Sequence, residues 1–130
     1  MNIPHNPPNV GQGLAHYSLG IEVLPGSRLL FIAGQVPVAP DGSVPKTIEG
    51  QSQCVWNNVQ AVLRSAGMGL EDLVKMTMFV TSGEARKAAA EVRAKVFGNV
   101  PMPASTGIIV KALPHPDWMI EVEAVAAKAA

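Results

Sequence analysis

The sequence predicts an α+β domain in which two helices pack on one face of a sheet. Two long stretches repeat apolar residues at helical spacing, and shorter apolar runs bounded by Pro, Gly and Asp have the character of strands. These segments follow the order strands, helix, strand, helix and strand pair, which is typical of an α+β sheet. A chain of 130 residues makes one domain and is long enough for a substantial core.

The first part of the chain predicts two strands behind an arm. Residues 1–13 contain several Pro, Asn and Gly residues, so we expect an irregular arm there. Residues 17–23 fit a first strand, which a Pro-Gly pair would end. The apolar run at residues 29–33 predicts the next strand more strongly, and Pro37 beyond it indicates an edge or a bend.

Two helices and one strand are predicted in the middle of the chain. Thr47 can cap a helix that runs to about Ala66, before a stop at Gly67. Residues 73–81 alternate with the strand period, and residues 84–97 fit a second helix. The predicted buried positions of the first helix are Val55, Val59, Val62, Leu63 and Ala66. Those of the strand are Val74, Met76, Met78 and Val80, and those of the second helix are Ala85, Ala88, Ala89, Val92 and Val96.

The end of the chain predicts a hairpin that carries two carboxylates. Apolar runs at residues 108–110 and 119–126 are separated by a turn-rich break, so we expect two paired strands. Glu121 and Glu123 lie two residues apart and therefore share one face, roughly 6.6 Å apart at Cα. They could serve one site as acid and base, although a solvated strand face explains the pair as well.

One face of the predicted sheet lacks a cover. Two helices cover one side, yet residues 29–32 and 108–110 are apolar at consecutive positions, so both faces of those strands are apolar. The low charged fraction of 15% also leaves little charge to solvate the whole surface of a monomer. Another copy of the same chain is the simplest candidate for the second cover.

Composition argues against several functional classes. Ten basic and ten acidic residues give a net charge of zero, so we expect neither a nucleic-acid nor an anionic-membrane partner. Cys54 is the one cysteine, which excludes an internal disulfide and a Cys-based zinc site. No leader pattern or long apolar segment is present, so we expect a soluble, cytoplasmic protein.

A second polar cluster, His16-Tyr17-Ser18, precedes the first predicted strand. Tyr17 could donate a hydrogen bond to a small substrate or stack on it, and His16 could titrate near neutral pH. A tyrosine that only anchors the arm explains the cluster too. The three histidines lack metal-ligand spacing, and we expect Cys54 to be a small buried thiol. Ser105-Thr106 has no nucleophile-elbow context, so a serine nucleophile is poorly supported.

The order of several motifs resembles the YjgF/RidA (Rid) family of small imine and enamine deaminases across almost the whole chain. No single motif is diagnostic, but their order and spacing together are fairly specific. The matching motifs are Tyr17-Ser18, Ile32-Ala33-Gly34-Gln35-Val36-Pro37, Asn58-Val59, Leu63, Ala66-Gly67, Leu70, Asp72-Leu73-Val74-Lys75, Phe79-Val80, Pro103-Ala104, Leu113-Pro114 and Ile120 to Ala126.

The resemblance implies a chorismate-mutase-like α+β fold that assembles as a homotrimer with clefts between subunits. It also implies that Glu121 positions or activates the hydrolytic water and that Tyr17 reaches the cleft from the neighbouring subunit. Backbone around Gly34 would line the cleft. No metal or cofactor is implied, because a carboxylate that holds water and shuttles a proton is sufficient for imine hydrolysis.

This sequence departs from the family at three cleft positions. Ser105 stands where active deaminases carry an arginine that grips the substrate carboxylate, and a hydroxyl cannot replace that planar cation. Gly107 stands where the family often has cysteine, and Ala33 where serine is frequent. We therefore expect a roomier, less polar cleft that does not favour small 2-imino acids. Whether Arg93 or His16 replaces the missing cation stays open.

Three functions remain after these observations. The first is hydrolysis of an imine or enamine metabolite without the usual carboxylate grip, with Glu121 as acid and base and Tyr17, Ala33, Gly34, Ser105 and Gly107 around the substrate. The second is a non-catalytic trimer that binds a small metabolite in the same cleft. The third is ribonuclease activity, which ranks last because the chain is neutral and has only 5% aromatic residues to stack bases.

Overall fold

A four-stranded mixed sheet with two helices on one face forms the body of the molecule. The computed structural model describes residues 1–11, 13 and 16–130. The strands of this sheet lie in the order β3-β6-β4-β5. Their bounds are β3 Ser27–Gln35, β4 Leu73–Val80, β5 Ala104–Ile109 and β6 Ile120–Ala129, and the helices are α1 Ile48–Ser65 and α2 Gly83–Phe97. The predicted α+β class, with both helices on one face, is confirmed.

Helix α1 forms where its capping residues predict it. The Thr47 hydroxyl accepts a hydrogen bond from the backbone N–H of Gly50 at 3.0 Å and so satisfies one free donor of the first turn. The helix ends at Ala66, after which Gly67 has a φ of 70°, a conformation that glycine adopts without strain. Val55, Val59 and Leu63 are fully buried, as their spacing predicts.

The core lies between the helices and the inner face of β4 and β6. Met76 and Val80 of β4 and Val122 of β6 are buried with alternate spacing along their strands. Trp56 of α1 and Phe97 of α2 meet edge to face, with ring centroids 5.2 Å apart. This packing fixes both helices on the same side of the sheet. None of the described helices has both the length and the apolar character needed to cross a membrane.

The predicted C-terminal hairpin is wrong. Strands β5 and β6 do not pair with each other; both pair with β4, β5 in parallel and β6 antiparallel. Helix α2 connects β4 to β5 as a crossover, and this connection permits the parallel pairing. The ten residues between β5 and β6 are long enough to pass over β4, so proximity in sequence does not make the two strands neighbours.

The N-terminal arm is more ordered than predicted. Within residues 1–13, Ile3–His5 form strand β1, which pairs antiparallel with β2, Gly20–Glu22. The predicted strand over residues 17–23 is therefore shorter, although Ser18 adds an isolated bridge to Ala104. The pairing with β2 satisfies the backbone groups of an arm that has few apolar contacts.

The outer face of the sheet, on the side away from the helices, exposes apolar side chains. Ile32 of β3 is buried against the helices, so its neighbour Phe31 points outward and is 73% exposed. Leu29 on the same strand is 54% exposed, and Ile108 of β5 is 41% exposed. The consecutive apolar positions in the sequence therefore do supply both faces, and within one protomer none of the described residues covers these outer side chains.

Candidate active site

Glu121 lies on the outer face of the sheet beside a bulge in β3. Its neighbours Ile120 and Val122 are fully buried, and Glu121 itself is half-buried and pairs in register with Phe79 of β4. Glu123 is on the same face, two residues on, as predicted. Among the described residues no side-chain hydrogen bond to the Glu121 carboxylate is formed, so its oxygens are available to a water molecule or a substrate.

The β3 bulge brings backbone close to that carboxylate. The register of β3 with β6 shifts between Ile32 and Gln35, so Ala33 and Gly34 together oppose a single residue of β6. A Cβ atom built on Gly34 would overlap the Oε2 of Glu121 and lie 2.9 Å from its Cδ. Glycine is therefore the residue that lets the strand backbone approach the carboxylate so closely. Ala33 is exposed, and its carbonyl accepts a hydrogen bond from the Gln35 side chain at 3.1 Å.

Tyr17, Ser105 and Gly107 line a cavity of about 300 Å³ between α2 and β5. The bridge between Ser18 and Ala104 brings the two segments side by side, with Tyr17 directly before Ser18 and Ser105 directly after Ala104. The Ser18 hydroxyl strengthens this junction by donating to the carbonyl of Met102 at 2.7 Å. Three of the predicted substrate-contacting residues are thus brought together within one protomer.

Two arginines of α2 line the same cavity. Arg93, which the sequence offered as one replacement for the missing cation, is buried, and Arg86 is half-buried. Arg86 was not singled out from the sequence. Its seven-residue distance from Arg93 is the signal that would have found it, because residues seven apart lie on the same face of a helix. The other suggested replacement, His16, is exposed and lines an adjacent cavity that also includes Arg93.

The cavity and the Glu121 carboxylate lie on opposite faces of the sheet. Ser105 and Gly107 pair in register with Met76 and Met78, which point to the helices, whereas Glu121 pairs with the outward-pointing Phe79. Strand β4 also separates β6 from β5, a distance of roughly 9.6 Å between the two flanking strands. One protomer therefore divides the predicted site residues into two half-sites.

Other polar candidates have structural roles or no partner set. Cys54 is buried, and desolvation, followed by the charge of Asp41, raises the pKa of its thiol, as a non-reactive cysteine requires. Ser105 donates its hydroxyl hydrogen bond to the carbonyl of Pro103 at 2.9 Å rather than to a base. Residues 1–11, 13 and 16–130 contain no cluster of three His, Cys, Asp or Glu side chains suited to a metal.

Comparisons with known proteins cover nearly the whole chain. A family model described as Endoribonuclease L-PSP matches residues 10–128. A RutC family protein of Pyrococcus horikoshii is 35% identical over 122 residues, which span 92% of this chain and 93% of the relative. The Escherichia coli protein named "Putative reactive intermediate deaminase TdcF" is 31% identical over 117 residues, or 88% of each chain.

Solved structures share the fold at similar identity. The crystal structure of the Rid family protein YyfB from Yersinia pestis matches with a TM-score of 0.83 and 31% identity over 98% of both chains. TdcF from Escherichia coli, crystallised with bound serine, matches with a TM-score of 0.75 and 31% identity over 90% of this chain and 91% of its own. The mixed sheet with two helices on one face is therefore the architecture of these proteins as well.

Proposed function

The chain belongs to the YjgF/RidA family, whose family model is described as Endoribonuclease L-PSP, and on this premise we propose that it hydrolyses a small imine or enamine metabolite. The name of its relative TdcF, a reactive intermediate deaminase in the printed description, supports deamination as the general reaction. The serine bound to TdcF in the crystal supports a small-molecule ligand. The roles of the individual residues below are part of the proposal.

The proposed reaction replaces a carbon-nitrogen double bond by a carbonyl. An enamine first tautomerises to the imine, and protonation of the imine nitrogen makes the neighbouring carbon electrophilic. Glu121 takes a proton from a water molecule as the water oxygen bonds to that carbon, which gives a carbinolamine. The same carboxyl group then returns the proton to the nitrogen. As the carbon-nitrogen bond breaks and ammonia leaves, the hydroxyl proton is released to solvent and balances the proton first taken up by the imine nitrogen, so that one water is consumed in all.

The contact between Glu121 and the β3 bulge carries this proposal. A carboxylate that is half-buried, close to backbone at Gly34 and without a side-chain donor among the described residues is suited to hold one water molecule in a fixed position. A carboxylate on a solvated strand face would need no glycine bulge beside it. The adjacent Glu123 is exposed and lines a shallow hollow with Phe31, so it fits a surface role better.

A second copy of the chain would complete the site. We propose a homotrimer in which the apolar outer face of each sheet is buried by a neighbour, and in which the neighbour brings the Tyr17 and Ser105 half-site to Glu121. Two observations support this arrangement: Phe31 is 73% exposed on the outer face, and the two half-sites lie on opposite faces of one protomer. Ala33, Gly34 and Gly107 would then form walls of the cleft.

The substrate is proposed to differ from small 2-imino acids. Ser105 bonds to the backbone at Pro103 and offers no positive charge, so the family's usual grip on an α-carboxylate is missing at this position. A Cβ atom built on Gly107 would meet nothing within 4 Å, which fits a roomier cleft. Turnover of enzymatically generated 2-iminopropionate at the rate of a standard family member would contradict this part of the proposal.

Two other functions are separable by experiment. A trimer that binds a metabolite without turning it over would bind ligand yet release no ammonia from any imine. Endoribonuclease activity, which the family description names, would require RNA binding that weakens with salt. The zero net charge of the chain disfavours that second alternative.

Substitution of Glu121 by glutamine is the test of the proposed mechanism. The amide keeps the size of the side chain but cannot accept the proton, so ammonia release from the best imine substrate should fall by at least about 10²-fold. The oligomeric mass and the thermal unfolding temperature should not change. Glu123→Gln is the matched control and should retain activity. Equal activity of the wild type and Glu121→Gln would remove Glu121 from the mechanism.

A further inference from the structure

The cavity between α2 and β5 contains two positive charges and no negative one. Arg86 and Arg93 line it together with Tyr17, Ser105 and Gly107. The ion pairs of the described residues involve only His5 with Glu22 and His115 with Asp117, so neither arginine is paired with a carboxylate. The three undescribed residues, Gln12, Leu14 and Ala15, carry no acidic side chain. The cavity is therefore electropositive.

Arg93 is the unusual member of the pair. Arg93 is only 8% exposed. In the described part of the chain its guanidinium donates no hydrogen bond to a side chain or a carbonyl. Burial, followed by the like charge of Arg86, lowers the pKa of Arg93, but a guanidinium stays protonated in proteins. A buried charge without a counter-charge is costly, and a bound anion would remove that cost.

The geometry of the cavity leaves room for such an anion. Arg86 and Arg93 are two helical turns apart, roughly 10.5 Å along the axis, and Ala90 is the small residue between them on the cavity wall. The opposite wall is formed by Ser105 and Gly107 of β5, and the space over Gly107 is open. The guanidinium fork of Arg93 can bind both oxygens of a carboxylate, and Tyr17 and Ser105 line the same cavity.

We propose that this cavity binds the carboxylate of the substrate through Arg93, with Arg86 as a second positive charge. The anion would thus be held from helix α2 instead of from strand β5, where Ser105 offers no cation. The substrate class is an imine or enamine that carries a carboxylate, placed differently from that of a small 2-imino acid. The identification of the bound anion as part of the substrate rests on the proposed deamination, whereas the binding of an anion at Arg93 does not.

Binding of simple carboxylates tests the inference without a known substrate. Succinate and glutarate are titrated into the wild-type protein by isothermal calorimetry, with succinamide as the neutral probe. We expect saturable binding of at least one dicarboxylate and at least tenfold weaker binding of succinamide. Arg93→Met should weaken dicarboxylate binding by at least tenfold. Arg93→Lys should weaken it less, because lysine keeps the charge but loses the fork.

Matched variants distinguish this cavity from general surface charge. Lys87→Met removes a cation from the exposed side of the same helix and should leave the affinity unchanged. Arg86→Met should weaken dicarboxylate binding several-fold. If Arg93→Met does not fold, the affinities of Arg86→Met and Arg93→Lys test the inference in its place. Wild-type affinity in all the arginine variants, or equal binding of succinamide and succinate, would overturn the inference.

The variant Glu121→Gln separates this inference from the proposed function. It should lose turnover but retain dicarboxylate binding that depends on Arg93, because the proposed anion contacts come from helix α2 and not from Glu121. If the wild-type enzyme is active but anion binding does not depend on Arg93, the inference is wrong and the proposed deamination is unaffected. If anion binding depends on Arg93 but no imine is turned over, the anion site is supported and the proposed deamination is contradicted.

Discussion

Gly34 and Glu121 set the position of the candidate catalytic carboxylate. The bulge in β3 leaves one residue of the strand unpaired and brings the Gly34 backbone against the side chain of Glu121 from β6. The contact is between a strand backbone, which is held by its hydrogen bonds, and the flexible end of a glutamate. A larger residue at position 34 must therefore move the carboxylate and not the strand.

Gly34→Ala should impair catalysis with little effect on stability. Its Cβ would displace the Glu121 carboxylate, and a shift of about 1 Å in a catalytic group costs on the order of 10–10² in rate. The backbone at Gly34 does not have the positive φ found at Gly67, so alanine itself is tolerated there. Steady-state deamination and thermal unfolding measure the two effects.

The control for this substitution is Gly83→Ala. Gly83 begins α2, and a Cβ atom there would meet nothing within 4 Å, so activity and stability should stay close to wild type. Equal activity of Gly34→Ala and the wild type would mean that the carboxylate position is not set by this contact.

At the residue scale, motifs in the sequence identify candidate site residues but do not predict where those residues lie relative to one another. Glu121, Tyr17 and Ser105 were named from motifs, but whether they share a face depends on strand order, which no motif contains. The two half-sites became visible only through the register of β4 with both its neighbours. Arg86 was missed because a charge on an alanine-rich helix is usually solvated.

At the scale of elements, Asn58 connects helix α1 to the segment that follows the bulge strand. Its side-chain amide donates to the carbonyls of Val36 and Val38, at 3.1 and 3.0 Å. These carbonyls belong to the irregular segment after β3, where the Val36 carbonyl also accepts from the backbone N–H of Val38 at 2.8 Å. The helix thus fixes the end of the strand that carries Gly34.

Asn58→Ala should destabilise the fold by about 1–3 kcal/mol, since the half-buried Val38 carbonyl loses its side-chain donor and the Val36 carbonyl keeps only the backbone N–H of Val38. Asn57→Ala on the same helix is the control, because Asn57 is exposed and accepts only from Gln53; its effect should stay within about 0.5 kcal/mol. Urea unfolding of the three proteins measures the difference. Equal stabilities for the two variants would show that the Asn58 contacts contribute nothing.

Element types and faces were predictable, whereas the pairing of the last two strands was not. Helical and strand periods predicted the bounds of α1, α2 and β4 to within about two residues, because burial of one face requires those periods. The same patterns give the face of a strand and not its neighbour. The sequence therefore predicts a hairpin of β5 and β6, whereas in the structure each of the two strands pairs with β4.

At the scale of the whole molecule, the outer face of the sheet is the surface through which we propose that copies of the chain associate. Phe31, Leu29 and Ile108 expose apolar surface on a face that no helix covers. Three of the strands also contribute polar or charged groups there, among them Thr77, so the face is not a uniform apolar core. A closed ring of copies that buries the apolar part would leave the Glu121 region as a groove.

Phe31→Glu should disrupt this association. A buried aromatic anchor typically contributes at least 2 kcal/mol to an interface, and a buried unpaired carboxylate adds a further cost, so association should weaken by at least roughly thirtyfold. Ala61→Glu on the exposed side of α1 introduces the same charge away from the sheet and should leave assembly intact. Size-exclusion chromatography over a dilution series compares the two variants. Identical elution profiles would exclude Phe31 from the interface.

Sedimentation equilibrium of the wild-type protein tests most directly whether copies of this chain cover the outer face and complete the site. Three chains of 13.6 kDa should sediment together at about 41 kDa and should stay associated at low micromolar concentration. A folded species that sediments at 13.6 kDa under the same conditions would contradict the proposal that two subunits together form the site.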